Sequence, residues 1–380
     1  MREVLCSTPS RICLFGEHLD YLGLEVIASA IDLRFSARVC PRTDGIVDLQ
    51  IRDSRLGELN QDDTQIQYQR RTFDLNQPIV YDKKRDYIKS VFQVLLREGY
   101  PVRCGFSIKM DSTIPIGKGM CSSSTMVVVL VKALLEAIGH IDAQMPERVA
   151  YLGFLAEVAE LHDPGGMMDQ YSSALCSLVH IDFADGAKPT PIDAQIPGCF
   201  ILFDTLQAKD TTKVLADSKI PVLEAVEMLR PFGIRTIRDF IACERQAEYL
   251  EKLDDLHRRK LCTAVDNYAI LQRAKALLAG EEPFDVIRFG RLLKEHHANL
   301  RDGLDISTEV MERIFAVSYA NGALGGKLNG SGGGGCLYVY ARQEDAPRIL
   351  AAVETMGYPG KILKMDTGAR LDNVFAEAVV

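Results

Sequence analysis

The residues Gly117-Lys118-Gly119-Met120-Cys121-Ser122-Ser123-Ser124, preceded by Pro115-Ile116, open directly onto the apolar run Thr125 to Leu135. A glycine turn followed by three hydroxyls at a helix start suits a polyphosphate. The first helical turn offers unpaired N–H groups and the positive end of the dipole, and small residues permit close approach. A nucleotide phosphate cradle is therefore expected at Gly117 to Ser124, against the plainer reading of a serine-capped helix after a loop. The spacing excludes G-x-x-x-x-G-K-[ST], because Lys118 lies between the glycines and neither Ser nor Thr follows it.

Two further segments carry chemistry. Pro9 to Tyr21 places Arg11, Glu17, His18 and Asp20 in a short strand-then-loop stretch. Gly330-Ser331-Gly332-Gly333-Gly334-Gly335-Cys336 lies between Lys327-Leu328-Asn329 and the strand-like run Leu337 to Tyr340. Together with the cradle, these segments resemble the three signature motifs of the GHMP small-molecule kinases, and within that superfamily the galactokinases. Weaker similarities follow in the family's order at Asp86 to Val91, Gly165 to Tyr171 and Glu295 to Asp302.

The resemblance implies an ATP-dependent, Mg²⁺-requiring sugar kinase acting on the anomeric hydroxyl of galactose or a related monosaccharide. Asp169 matches the catalytic aspartate, which would accept the proton of the attacking hydroxyl or orient it. Its plainer role is a dipole-stabilised acid at a helix start. Arg11 matches the arginine beside that carboxylate, where a permanent cation stabilises charge on the transferring phosphoryl; a surface arginine on an edge strand is the alternative. Ser123 and Glu157 match the metal-associated hydroxyl and glutamate, enough for Mg²⁺, which takes few protein oxygens besides phosphate and water. Glu160 is a possible substitute, and either glutamate could be a solvent-facing helical charge. Glu17, His18, Asp20 and Gly166 match positions that grip the sugar.

The chain also departs from that pattern. Cys121 replaces the first serine of the triplet, Thr125 and Met126 stand where alanines are usual, and Leu19, Leu22 and Leu24 replace more polar residues. After Phe203-Asp204-Thr205, the galactokinase Tyr-Asn-x-Arg-Arg element is missing: Asp217 to Glu224 contains neither tyrosine nor paired arginines. The acceptor therefore stays open among galactose, another sugar and a small alcohol, and a catalytically idle sensor of ATP and sugar is the alternative from a different class.

These residues need a large scaffold. At 380 residues, 47% of them hydrophobic, the chain supports one large or two associated domains. Its net charge is -8 and its basic residues form only short groups such as Lys83-Lys84-Arg85, so no stripe for nucleic acid is present. Ten scattered cysteines without a C-x-x-C pair fit reduced thiols, and neither a signal-peptide pattern nor an apolar run of ~18 residues is found. A cytoplasmic protein without membrane or nucleic-acid partners is expected, and the sequence leaves its oligomeric state open.

Glu3 to Cys6, Arg34 to Val39 and Val102 to Ile108 read as strands, and Arg85 to Arg97 as an amphipathic helix. Met126, Leu130, Ala133, Leu134 and Ile138 recur at helical spacing and predict a helix burying one face. Ser177 to Phe183 and Cys199 to Thr205 read as strands, Val222 to Ala320 as mostly helical, and the end as strand, helix, strand. The expected fold is α+β. The resemblance implies a two-lobed GHMP kinase architecture: a β-rich N-terminal lobe with a ribosomal-protein-S5-like βαβ element (1–185) and an α/β C-terminal lobe (186–380).

Overall fold

Long apolar β-branched stretches near the N-terminus set up the architecture, which a computed structural model describes for residues 1–52, 68–115, 118–163, 165–280 and 283–375. Two compact units form. One comprises Met1–Arg11, Ser29–Ser177 and Met365–Val380; the other comprises Ile12–Ala28 and Leu178–Lys364. They interleave along the chain, unlike the linear division at 185/186, because the two long strands β1 (Glu3–Phe15) and β2 (Glu25–Pro41) each change units part-way.

In the first unit, β2 pairs antiparallel with β5 (Phe106–Ser112), and β5 pairs parallel with β3 (Ile46–Arg52). β3 forms an antiparallel pair with β4 (Tyr68–Asp74). A last strand, Arg370–Phe375, which the sequence pattern did not suggest, pairs antiparallel with β1. Helix α1 (Tyr87–Arg97) matches its amphipathic pattern. Helix α2 (Ser122–Ile138) corrects the expectation of one buried face: every residue from Ser124 to Ala137 except Met126 is buried. A helix apolar on all sides belongs inside, and α1, α3 (Pro146–Phe154) and α4 (Met168–Ala174) all pack against it. Its two buried charges satisfy each other: Lys132 Nζ donates to Glu136 at 2.8 Å and to the Ala143 carbonyl at 2.6 Å.

The second unit carries the hairpin β6 (Leu178–Asp182) and β7 (Lys188–Pro191). A four-stranded antiparallel sheet follows, ordered β11 (Gly360–Leu363), β8 (Cys199–Asp204), β10 (Cys336–Ala341), β9 (Gly325–Leu328). β8 and β10 are buried along their whole length, as strands covered on both faces must be. Ile201, Phe203, Leu337 and Val339 form a core with Ile314 and Phe315 of a following helix. Helix α5 (Thr211–Leu229) starts well before the predicted Val222 and runs through Pro221. Its start is capped by Asp210, whose carboxylate accepts from the Lys213 N–H at 3.0 Å, and Val222, Ala225 and Leu229 bury its far half. Among the described residues, no helix is long and apolar enough to cross a membrane.

Candidate active site

The cradle lies in the first unit. Cys121 occupies the N-cap of α2 in a left-handed conformation (φ 44°) and makes no side-chain capping bond. Ser122, Ser123 and Ser124 are therefore the first helical residues, not the cap. Their backbone N–H groups belong to the set an α-helix leaves unpaired, at the positive end of a 17-residue helix. The Cys121 sulfur faces the hydroxyls of Thr125 (3.4 Å), Ser10 (3.7 Å) and Ser173 (3.9 Å). Met120 is buried and its carbonyl accepts from Ser10, whereas Lys118 and Gly119 are half-buried. Gly117 lies outside the described residues.

Arg11 and Asp169 stand 158 residues apart in the chain and meet here. Arg11 is 2% exposed, far from the surface arginine that an edge strand offers. Its Nε and Nη2 both donate to Asp169 Oδ1, at 2.9 and 2.6 Å, so the other carboxylate oxygen is not used by Arg11. Nη1 donates to the Gly119 carbonyl at 3.2 Å, tying the guanidinium to the turn before α2. Asp169 lies in the first turn of α4, its side chain 29% exposed, and Gly166 is half-buried in the preceding loop.

Glu157 sits in a π-helical turn, Leu155–Ala159, that follows α3. Burial pushes its carboxyl up to about 7, opposed by hydrogen bonds with Ser123, Ser124 and Gln170. The bond from Gln170 Nε2 to Oε2 is 2.6 Å. Ser123 and Glu157, far apart in sequence, thus become neighbours at the start of α2. Glu160 is engaged elsewhere, accepting from Tyr81 at 2.7 Å and Arg97 at 2.5 Å.

The remaining motif residues belong to the second unit. Glu17 is 1% exposed, and its Oε2 accepts from Lys327 Nζ at 2.6 Å. That ammonium also donates to the carbonyls of Cys13 (2.9 Å) and Leu328 (2.8 Å), so all three of its protons have acceptors. Asn329 accepts from the Cys13 N–H at 3.0 Å, which clamps the end of β1 to the segment around Lys327 from both sides. Burial holds His18 down to about 4, hence neutral at pH 7. Its Nε2 donates to the Ser331 carbonyl (3.2 Å) and its Nδ1 accepts from the Tyr21 hydroxyl (2.7 Å), so both ring nitrogens are committed within the protein. Asp20 is half-buried in the 3₁₀ turn Asp20–Leu22. In the glycine run, Gly332 (φ 79°) needs to be glycine, since a Cβ there would lie 2.7 Å from the Ile306 carbonyl oxygen.

Three family profiles match the chain: GHMP kinases N terminal domain over residues 86–177, GHMP kinases C terminal over 274–359, and the galactokinase galactose-binding signature over 2–41. The chain belongs to the GHMP kinases. This GHMP kinase is 29% identical to the galactokinase of Streptomyces coelicolor over 362 residues, covering 93% of the chain and 88% of that protein. It is 25% identical to the mevalonate kinase of Thermococcus onnurineus over 383 residues, covering 98% and 99%. The crystal structure of Lactococcus lactis galactokinase complexed with galactose has the same fold, with a TM-score of 0.79 at 19% identity over 97% of this chain and 95% of that one.

Sequence reasoning gave no role to two residues of this GHMP kinase. Lys327 was readable only as part of a glycine-rich run, although a lysine in so short an apolar strand is a signal for a buried partner. Gln170 follows Asp169 directly, and nothing local shows that its amide turns to Glu157.

Proposed function

We propose that this GHMP kinase transfers the terminal phosphoryl group of ATP to a monosaccharide hydroxyl, with galactose as the leading acceptor and its anomeric hydroxyl as the nucleophile. The observation that carries the reading is the Arg11–Asp169 pair, anchored by Arg11 to the turn before the α2 start. The backbone N–H groups of Ser122 to Ser124 bind and orient the phosphates. Arg11 holds Asp169 by one oxygen and adds fixed positive charge for the transition state, where positioning and electrostatics do most of the work. The second oxygen of Asp169 orients the acceptor hydroxyl and takes its proton as the new O–P bond forms and the bond to the ADP leaving oxygen breaks.

A hydroxyl and a carboxyl brought together at the start of α2 form the sparse, hard-oxygen donor set that Mg²⁺ uses alongside phosphate. Ser123 and Glu157 would hold the ion, which when bound neutralises phosphate charge. Glu17, His18, Asp20 and Gly166 belong to acceptor binding in this reading. Since Glu17 and His18 are already bonded within the protein, they act by shaping the turn that presents Asp20. The same reading places the enzyme in the cytoplasm.

Incubation of the purified protein with ATP, Mg²⁺ and a panel of aldoses, uronic acids and mevalonate tests it. Sugar-dependent ADP release, strongest with galactose, is expected. Turnover of mevalonate alone replaces the acceptor and keeps the transfer chemistry, a reading favoured by the Thermococcus onnurineus relative. Binding of ATP and sugar without turnover establishes the sensor reading instead.

A further inference from the structure

We infer that Gln170 is a positioning residue for the divalent cation: its buried amide holds one oxygen of the Glu157 carboxyl and so fixes how that carboxyl faces Ser123 and the metal. This inference rests on the reading of Ser123 and Glu157 as the ligands. Gln170 is 1% exposed, and its Nε2 donates to Glu157 Oε2 at 2.6 Å. Its stem lies against α3, where a Cβ on Gly153 would stand 3.6 Å from Gln170 Cγ.

The opposite end of the amide shows why a polar residue is kept. Gln170 Oε1 is buried and has no hydrogen-bond partner among the described residues. An unsatisfied buried acceptor is destabilising, and an apolar side chain of the same length avoids that penalty. Packing alone therefore favours methionine or leucine, and the amide is explained by what its N–H₂ does. It donates to the carboxyl without bringing charge of its own, so the charge of Glu157 is left for a dication to neutralise, whereas a lysine at 170 would cancel it. α4 thereby ties both functional carboxylates, through Asp169 to Arg11 and through Gln170 to Glu157. Such outer partners orient ligands, and their loss commonly costs ten- to a hundredfold in metal affinity.

The test titrates Mg²⁺ into the enzyme with a non-hydrolysable ATP analogue by calorimetry, alongside the Mg²⁺ dependence of kcat and the KM for sugar. For Gln170→Met, the apparent Mg²⁺ affinity should fall about tenfold or more. Saturating Mg²⁺ should restore most of kcat, and sugar KM should stay within about twofold, a split that a purely structural role does not produce. Gln170→Asn, which keeps the amide and shortens its reach, undergoes the same titration if the methionine variant does not fold. Unchanged Mg²⁺ affinity in the folded variant overturns the inference. Glu157→Gln, run in parallel, separates the two readings. If it weakens Mg²⁺ binding and Gln170→Met does not, only the positioning role fails. If neither weakens it, the ligand assignment fails as well.

Discussion

Glu25 and Glu157 are each 6% exposed, but Glu157 lies deeper in the protein, and the two are treated in opposite ways. Burial raises the Glu25 carboxyl, but His180 (2.6 Å), Gln272 (3.1 Å), Tyr268 (2.9 Å) and Lys275 (3.1 Å) all bond to it and together hold it well below the usual carboxylate range. Glu157 has only neutral hydrogen-bond partners, two serines and an amide, and its deeper burial wins, helped by the negative charge of Asp169. Burial alone therefore does not mark a functional carboxylate. A buried acid whose counter-charge the fold has not supplied is the better candidate, because a cation can complete it.

Four measurements bear on that contrast. Glu157→Gln should lower kcat at least about a hundredfold at saturating Mg²⁺ if the proposed ligand role holds, since the variant lacks the charged oxygen. Its melting temperature should stay level or rise, because the variant no longer desolvates a carboxyl; a large drop would put Glu157 with the structural acids. Lys327→Met strips the counter-charge from buried Glu17 and should cost about 3–5 kcal/mol in urea unfolding, with part recovered in the Glu17→Gln, Lys327→Met double variant.

Glu25→Gln should cost about 2 kcal/mol in the same assay, because the partly exposed Lys275 can turn to water, while kcat per folded molecule is unchanged. The smallest effect is the acid limb. The folded-state value of Glu25 lies below its ordinary 4.5, so its contribution is complete above about pH 4.5 and lost as pH falls further. Wild-type stability should drop more steeply below pH 4.5 than that of Glu25→Gln, and parallel acid limbs would mean that the four donors do not favour the charged form.

The same contrast explains which residues could be read in advance. The cradle could be proposed from residue type and local spacing, whereas Arg11 and Asp169 were singled out only through the resemblance to the GHMP kinases. The choice between Glu157 and Glu160 is not legible in either way. Three residues apart on a regular α-helix they would share a face, but the π-helical turn at Leu155–Ala159 changes the phase, sending Glu157 to Ser123 and Glu160 to Arg97. The plainer alternative of a serine-capped helix does not hold, since Cys121 occupies the N-cap position, its sulfur among three buried hydroxyls.

By itself the sequence determined the α+β class and most strands and helices, since propensity, periodicity and turn chemistry act over a few neighbouring residues. The Arg11–Asp169 pairing was implied by the resemblance, but only the tertiary structure decided that Lys327 neutralises Glu17 and that Gln170 reaches Glu157. Those pairings depend on the direction each side chain takes after distant segments pack, and hydrogen bonds are sensitive to tenths of an ångström that no local pattern encodes.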